Sequence, residues 1–164
     1  MEQNTKIQID NHSIEVTAGT TILKAAASVG VDIPTLCHMD MEGMCITNLP
    51  ASCRICVVEV EGRRNLAPAC STRCDNGMIV KTNSLRVMQA RKYVLELILS
   101  DHPKDCLICT KSGNCDLQNL AIRFKIREIP FKGEQSDYTL EKSPSIIRDM
   151  NKCIYCRRCE MMCN

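Results

Sequence analysis

A chain of 164 residues and 18.4 kDa has room for one or two small domains. Aromatic residues make up 3% of it and there is no Trp, so the bulky core-fillers are nearly absent and a domain this small needs staples. Against 19 acidic residues stand 21 basic ones, and a formal net charge of +2 gives no electrostatic case for nucleic acid or a membrane surface.

Thirteen cysteines are the obvious staples, as disulfides, zinc ligands or iron–sulfur ligands. The opening Met1-Glu2-Gln3-Asn4-Thr5-Lys6 lacks the apolar run of a signal peptide, and no segment approaches transmembrane length. A cytoplasmic, reducing setting without membrane insertion is therefore expected, where thiols stay free or bind metal. An odd count also leaves one cysteine over in any all-disulfide scheme.

In chain order, Lys6-Ile7-Gln8-Ile9-Asp10 and Ser13-Ile14-Glu15-Val16 alternate as two strands around a turn at Asn11-His12. Thr20 or Thr21 can cap a helix from Ile22 to Ser28, which Gly30 ends. Further strands are predicted at Val57–Val60 and, after an Asp75-Asn76-Gly77 turn, at Met78–Lys81. Hairpin, helix and later strands suit a β-grasp: one helix packed on a mixed sheet, an α+β fold.

Between helix and strand runs a long irregular loop, Pro34 to Cys56, and loops of that length inside a compact domain are usually functional. The spacing Cys37-x15-Cys53-x2-Cys56-x13-Cys70 could wrap a [2Fe–2S] cluster. Cys45 competes with Cys37 as the first ligand, because Cys45-x7-Cys53 would also serve. Residues 84–99 then carry a helical stripe of Val87, Ala90, Val94 and Ile98, with Ser84 as N-cap and His102-Pro103 as the stop.

The next group, His102-x3-Cys106-x2-Cys109-x5-Cys115, sets four metal ligands in one short loop, with Gly113 allowing a tight path. A Cys3His zinc site is the competing assignment. Imidazole is neutral where thiolate is anionic, so a cluster held here should have a raised potential. Residues 130–145, with Pro130, Gly133, Ser136, Ser143 and Pro144, read as a polar linker. It leads to Cys153-x2-Cys156-x2-Cys159-x3-Cys163, the spacing of bacterial-type [4Fe–4S] binding. In two-cluster ferredoxins the fourth cysteine serves the other cluster, so Cys163 either closes the local site or serves a neighbour beyond Asn164.

The leftovers take plainer readings. Cys45 and Cys74, outside every group, are expected to be buried and inert unless low-pKa thiols make a redox sensor. His12 belongs in a turn and His38 at the surface, Met39, Met41 and Met44 pack near the first site, and Arg157-Arg158 is a solvated pair.

Three runs together carry a resemblance: Cys53-Arg-Ile-Cys56-Val-Val-Glu-Val-Glu-Gly, Asp101-His102-Pro103-x2-Cys106-x2-Cys109-x5-Cys115-x-Leu117-Gln118, and Arg148-Asp149-x2-Lys152-Cys153. In this order they resemble the N-terminal region of multi-cluster [FeFe] hydrogenases of the NAD(P)-linked, electron-bifurcating type. The same region is similar to the large iron–sulfur subunit of complex I, the diaphorase subunit of NAD-linked nickel–iron hydrogenases and some formate dehydrogenases. The resemblance implies a β-grasp [2Fe–2S] domain over residues 1–82, a connecting helix and His/Cys [4Fe–4S] domain over 83–140, and the first half of a ferredoxin-like [4Fe–4S] domain over 141–164.

Carried over residue by residue, Cys37, Cys53, Cys56 and Cys70 would hold the [2Fe–2S] cluster, and His102, Cys106, Cys109 and Cys115 a [4Fe–4S] cluster. Cys153, Cys156 and Cys159 would serve another cubane, and Cys163 its neighbour. The implied partners are flavin- or NAD(P)H-oxidising iron–sulfur subunits, a hydrogenase catalytic domain or subunit, and ferredoxin. The gap from Cys37 to Cys53 is longer than the common complex I spacing. The hydrogen-activating domain would lie beyond Asn164, so this segment is expected to relay electrons without a catalytic centre of its own. A zinc-stabilised interaction module is the alternative of another class.

Overall fold

The computed structural model describes residues 4–39, 51–134 and 137–163, with residue 163 described by its backbone alone. The chain divides into two compact units, one of residues 1–91 with 157–164 and the other of residues 92–156.

The first unit is built on a five-stranded sheet in the order β2-β1-β5-β3-β4. β1 (Asn4–Ile9) and β2 (His12–Thr17) form an antiparallel hairpin, with Ile7 opposite Ile14. The turn falls one residue earlier than the sequence suggests, at Asp10, whose φ of 49° lies in the left-handed region that Asp tolerates. β5 (Ile79–Lys81) pairs parallel to β1 and antiparallel to β3 (Val57–Val60), and the two-residue β4 (Ala67–Pro68) closes the far edge. Alternation decides which face is covered: Thr5, Ile7 and Ile9 point inward while their neighbours face water.

Helix α1 (Ile22–Ser28) lies over that face, burying Ile22, Ala25 and Ala26. Thr21 is its cap, accepting from the Lys24 amide at 3.4 Å. The core they share with Ile9, Val58, Val60 and Val80 contains no aromatic side chain, only aliphatic and sulfur-bearing ones. One polar clasp ties the hairpin to the end of β5. The Thr82 amide donates to Asp10 Oδ1 at 2.7 Å, and its hydroxyl donates to Oδ2 at 2.6 Å. Thr82 is 1% exposed, so Asp10→Ala leaves two buried donors unmet and should lower stability by about 2 kcal/mol. Urea unfolding of the iron-loaded protein measures this; an unmoved midpoint would mean water replaces the carboxylate.

Helix α2 (Leu85–Ser100) begins at the Ser84 cap, whose hydroxyl accepts from Val87 N at 3.3 Å. Its Arg91 is 1% exposed and donates twice to the carbonyl of Val57, at 2.8 and 3.2 Å. The guanidinium thus bonds a carbonyl at the start of β3, two residues before β5 joins that strand at Glu59.

In the second unit, α3 (Asp116–Arg123) buries Leu117 and Leu120. The segment read as a linker is more structured than its composition suggests. Phe131 meets Tyr93 edge-on with ring centroids 6.4 Å apart, and Gly133 passes so close to the Ser100 carbonyl that a Cβ there would clash. Its last residues form a hairpin of β6 (Glu141–Lys142) and β7 (Ile147–Arg148), turned by Ser143 bonding Ile146. Helix α4 (Arg158–Cys163) ends the described chain. No described helix is long and apolar enough to cross a membrane.

Candidate metal centres

The first cysteine group comes together. Cys37 arrives from the loop after α1, Cys53 and Cys56 precede β3, and Cys70 follows β4. All four are buried and free of disulfides. Cys56 Sγ and Cys70 Sγ are 3.3 Å apart, and Cys37 lies within bonding reach of both Cys53 and Cys70. Four thiols this close cannot ionise independently. Bonds from Cys53 and Cys70 pull Cys37 far below the ordinary thiol range; the same contact with Cys37 pushes Cys53 and Cys70 far above it. Cys56 is lowered to about 7 by its bond with Cys70, against the opposing effect of burial. Such a nest of thiols is stable as a set of thiolates only around cationic metal, which is what an iron–sulfur cluster supplies.

The backbone here is bent to fit. Ala51 (φ 73°) and Arg54 (φ 60°) take left-handed conformations on either side of Cys53, and Tyr155 (φ 52°) and Arg157 (φ 60°) do so around Cys156. Cys74 stands apart in role: it is buried in the aliphatic core, and burial, with Asp75 adding, pushes its thiol up to about 11. Cys45, Met41 and Met44 lie outside the described residues.

The second group shares one opening. A small depression open to solvent is lined by His102, Asp105, Cys106, Cys109, Lys111, Ser112, Cys115 and Gln118. A 3-10 turn (Cys106–Ile108) carries the first cysteine, and Cys115 sits at the N-cap of α3, where the helix end favours negative charge. Gly113 (φ 80°) turns the chain between them, its amide donating to Gln118 Oε1 at 3.1 Å. The Nδ1 atom of His102 is buried without a hydrogen-bond partner, an orphan that a metal ligand would explain. Burial lowers the imidazole pKa, keeping it neutral as ligation needs. Three cysteines and one imidazole lining one opening are the donor chemistry an iron–sulfur cluster needs.

The third group draws on both units. Cys153 and Cys156 are half-buried in the second unit, whereas Cys159 is exposed on α4 in the first, the boundary falling after Cys156. The side chain of Cys163 lies outside the description. Among the described residues no three His, Cys, Asp or Glu side chains close on a point that would hold one lone metal ion; sulfurs of the first group meet pairwise instead.

Two expectations need correcting. Arg158 is not a solvated partner of Arg157: it is half-buried and donates to the His38 carbonyl at 3.3 Å, while Arg157 pairs with Glu160 at 2.7 Å. His38 is itself half-buried. Sequence reasoning also passed over Asp105 and Lys152, which meet at 3.0 Å beside the second group. The signal available was that each immediately precedes a cysteine.

A β-grasp sheet presenting buried thiols, followed by a His/Cys loop around an opening, defines an iron–sulfur electron-transfer protein. The 2Fe-2S iron-sulfur cluster binding domain family matches residues 2–85, and the chain belongs to it. The NADH-ubiquinone oxidoreductase-G iron-sulfur binding region matches residues 91–130, so both [2Fe–2S] and [4Fe–4S] cofactors are accounted for.

Known relatives agree. The chain is 62% identical over 159 residues to the NADP-reducing hydrogenase subunit HndD of Solidesulfovibrio fructosivorans, covering 96% of itself and 27% of that protein. It is 41% identical over 163 residues to an NADH-quinone oxidoreductase subunit of Rhizobium meliloti, covering 96% of itself and 18% of the relative. A chain in the crystal structure of an NAD+-reducing [NiFe]-hydrogenase in the H2-reduced state superposes with a TM-score of 0.83 at 32% identity, over 94% of this chain and 64% of that one. The chain thus spans about a quarter or less of the length of the first two relatives. It is an iron–sulfur electron-transfer module of the kind found in NAD(P)-linked hydrogenases and complex I-like subunits.

Proposed function

We propose that this module serves an NAD(P)-linked [FeFe] hydrogenase, relaying single electrons between flavin- or NAD(P)H-oxidising iron–sulfur subunits and a hydrogen-activating domain or subunit, with ferredoxin as a further partner. The 62% identity over 159 residues supports this choice of parent over complex I or formate dehydrogenase. A reducing cytoplasm suits a chain whose described cysteines are all free.

Residues 1–82 form the [2Fe–2S] domain, held by Cys37, Cys53, Cys56 and Cys70; residues 83–140 hold a [4Fe–4S] cluster on His102, Cys106, Cys109 and Cys115. Residues 141–164 contribute Cys153, Cys156 and Cys159 to a second cubane and Cys163 to its neighbour. When bound, these clusters accept and release one electron at a time. The protein's own residues hold them, shield the first from water behind buried thiols, and leave the second near the surface, where Cys106 is exposed.

Iron analysis and EPR after anaerobic purification test the reading. About ten irons per chain are expected, with one [2Fe–2S] and two [4Fe–4S] signals on reduction. A colourless protein carrying zinc overturns it. Cys70→Ala should abolish the [2Fe–2S] signal alone, whereas Cys74→Ala should leave every signal in place; the reverse pattern would reassign the ligands. Hydrogen-dependent reduction of NAD(P) by the enzyme that carries this module separates hydrogenase from the other parents.

A further inference from the structure

One ion pair in the second unit joins two of the cysteine groups. Lys152 stands immediately before Cys153, Asp105 immediately before Cys106, and Lys152 Nζ lies 3.0 Å from the Asp105 carboxylate. The lysine is also held from behind. Asp149 accepts from the Asn151 amide at 3.1 Å. Asn151 in turn bonds both ways with the Tyr138 backbone, Nδ2 donating to its carbonyl and Oδ1 accepting from its amide, each at 2.9 Å. The 3-10 turn Met150–Lys152 is thus pinned on two sides, with Cys153 next along the chain.

Lys152 and Asp105 are 31% and 33% exposed, too wet for their pairing to add much to global stability. Its effect is local. Burial acts most strongly on the His102 imidazole, and the charges of Asp105, Lys152 and Asp149 act on it as well.

We propose that Lys152 is a positioning residue for electron passage between the His102 site and the group opened by Cys153: bonded to Asp105, it holds the two cysteine loops together and sets a positive charge between them. This rests on the reading that both groups carry clusters. In the step itself no bond forms or breaks; one electron leaves the reduced centre and arrives at the oxidised one. The receiving centre becomes more negative by one charge, which a fixed ammonium favours. Passage weakens steeply as centres separate, so a loop allowed to drift slows it.

The test uses the full chain, iron-loaded anaerobically, as wild type, K152M, K152R and D105N. All four are expected to bind the same iron and melt alike once stripped of it. In K152M the midpoint potential of the His102-site cluster should fall, and the magnetic interaction between the two reduced [4Fe–4S] centres in EPR should weaken. K152R should restore both. D105N, which keeps the lysine but releases it, should lose the interaction. A fully loaded K152M protein with unchanged potential and unchanged interaction overturns the proposal. Should K152M bind less iron, D105N decides on the magnetic interaction alone: its loss supports the proposal and its persistence overturns it. Absence of two [4Fe–4S] signals in the wild type overturns the underlying reading, a failure distinguishable because no variant is involved.

Discussion

Anaerobic removal of iron should melt residues 92–156 and leave the sheet of the first unit folded. The reason lies in where apolar surface is buried. Fifteen residues form the continuous core beneath α1. In the second unit the only buried residues among those described are Leu95, Glu96, Leu117 and Leu120. Each buried Leu contributes roughly 1.5–3 kcal/mol, while ordering each residue costs about 1–2 kcal/mol in backbone entropy. Three leucines cannot hold a segment of that length. Metal–ligand bonds can, since structural metal sites supply on the order of 10 kcal/mol of folding free energy. Amide hydrogen exchange on the iron-free protein reads the outcome directly: protection kept in β1, β3 and β5, lost in α3. Protection persisting in α3 without iron would mean that packing holds the second unit after all.

The second large effect belongs to His102. His102→Cys should keep the cluster and lower its potential, because a neutral ligand is exchanged for an anionic one; the Rieske comparison puts the change on the order of 100 mV or more per imidazole. His102→Ala should instead reduce iron at this site, since the half-buried ring both lines the opening and carries the orphaned Nδ1. Redox titration of each variant by EPR checks the pair. If H102C titrates with the wild type, the imidazole is not a ligand and its Nδ1 needs another partner. The [2Fe–2S] signal serves as the internal control, because its candidate ligands sit in the other unit.

Much of this was legible before any coordinates. The alternation of Ile7, Ile9, Ile14 and Val16 announces the hairpin, Thr21 and Gly30 bracket α1, and the Ser84 cap and apolar stripe place α2 within a residue of where it lies. The cysteines that spacing grouped do lie together, in one nest in the first unit and around one opening in the second. What stayed hidden depends on tertiary context. Strands of two residues, β4, β6 and β7, are too short for any periodicity to register. α3 offers two buried leucines beside an exposed Ile122, a stripe too narrow to stand out next to a metal loop. The burial of Arg91 and the meeting of Lys152 with Asp105 involve partners far apart in sequence, where local pattern says nothing.

The left-handed residues beside Cys53 and Cys156 bear on durability. None of Ala51, Arg54, Tyr155 or Arg157 is glycine, and an L side chain in that region costs roughly 1–2 kcal/mol. These bends therefore stand somewhat above their own energetic minimum, and the surrounding structure must hold them there. Arg54 is exposed, so exchanging it for Gly relieves the bend without touching a candidate ligand. A sturdier scaffold for oxygen-stressed settings is thus reachable from the turns, with the sulfur inventory left as it is.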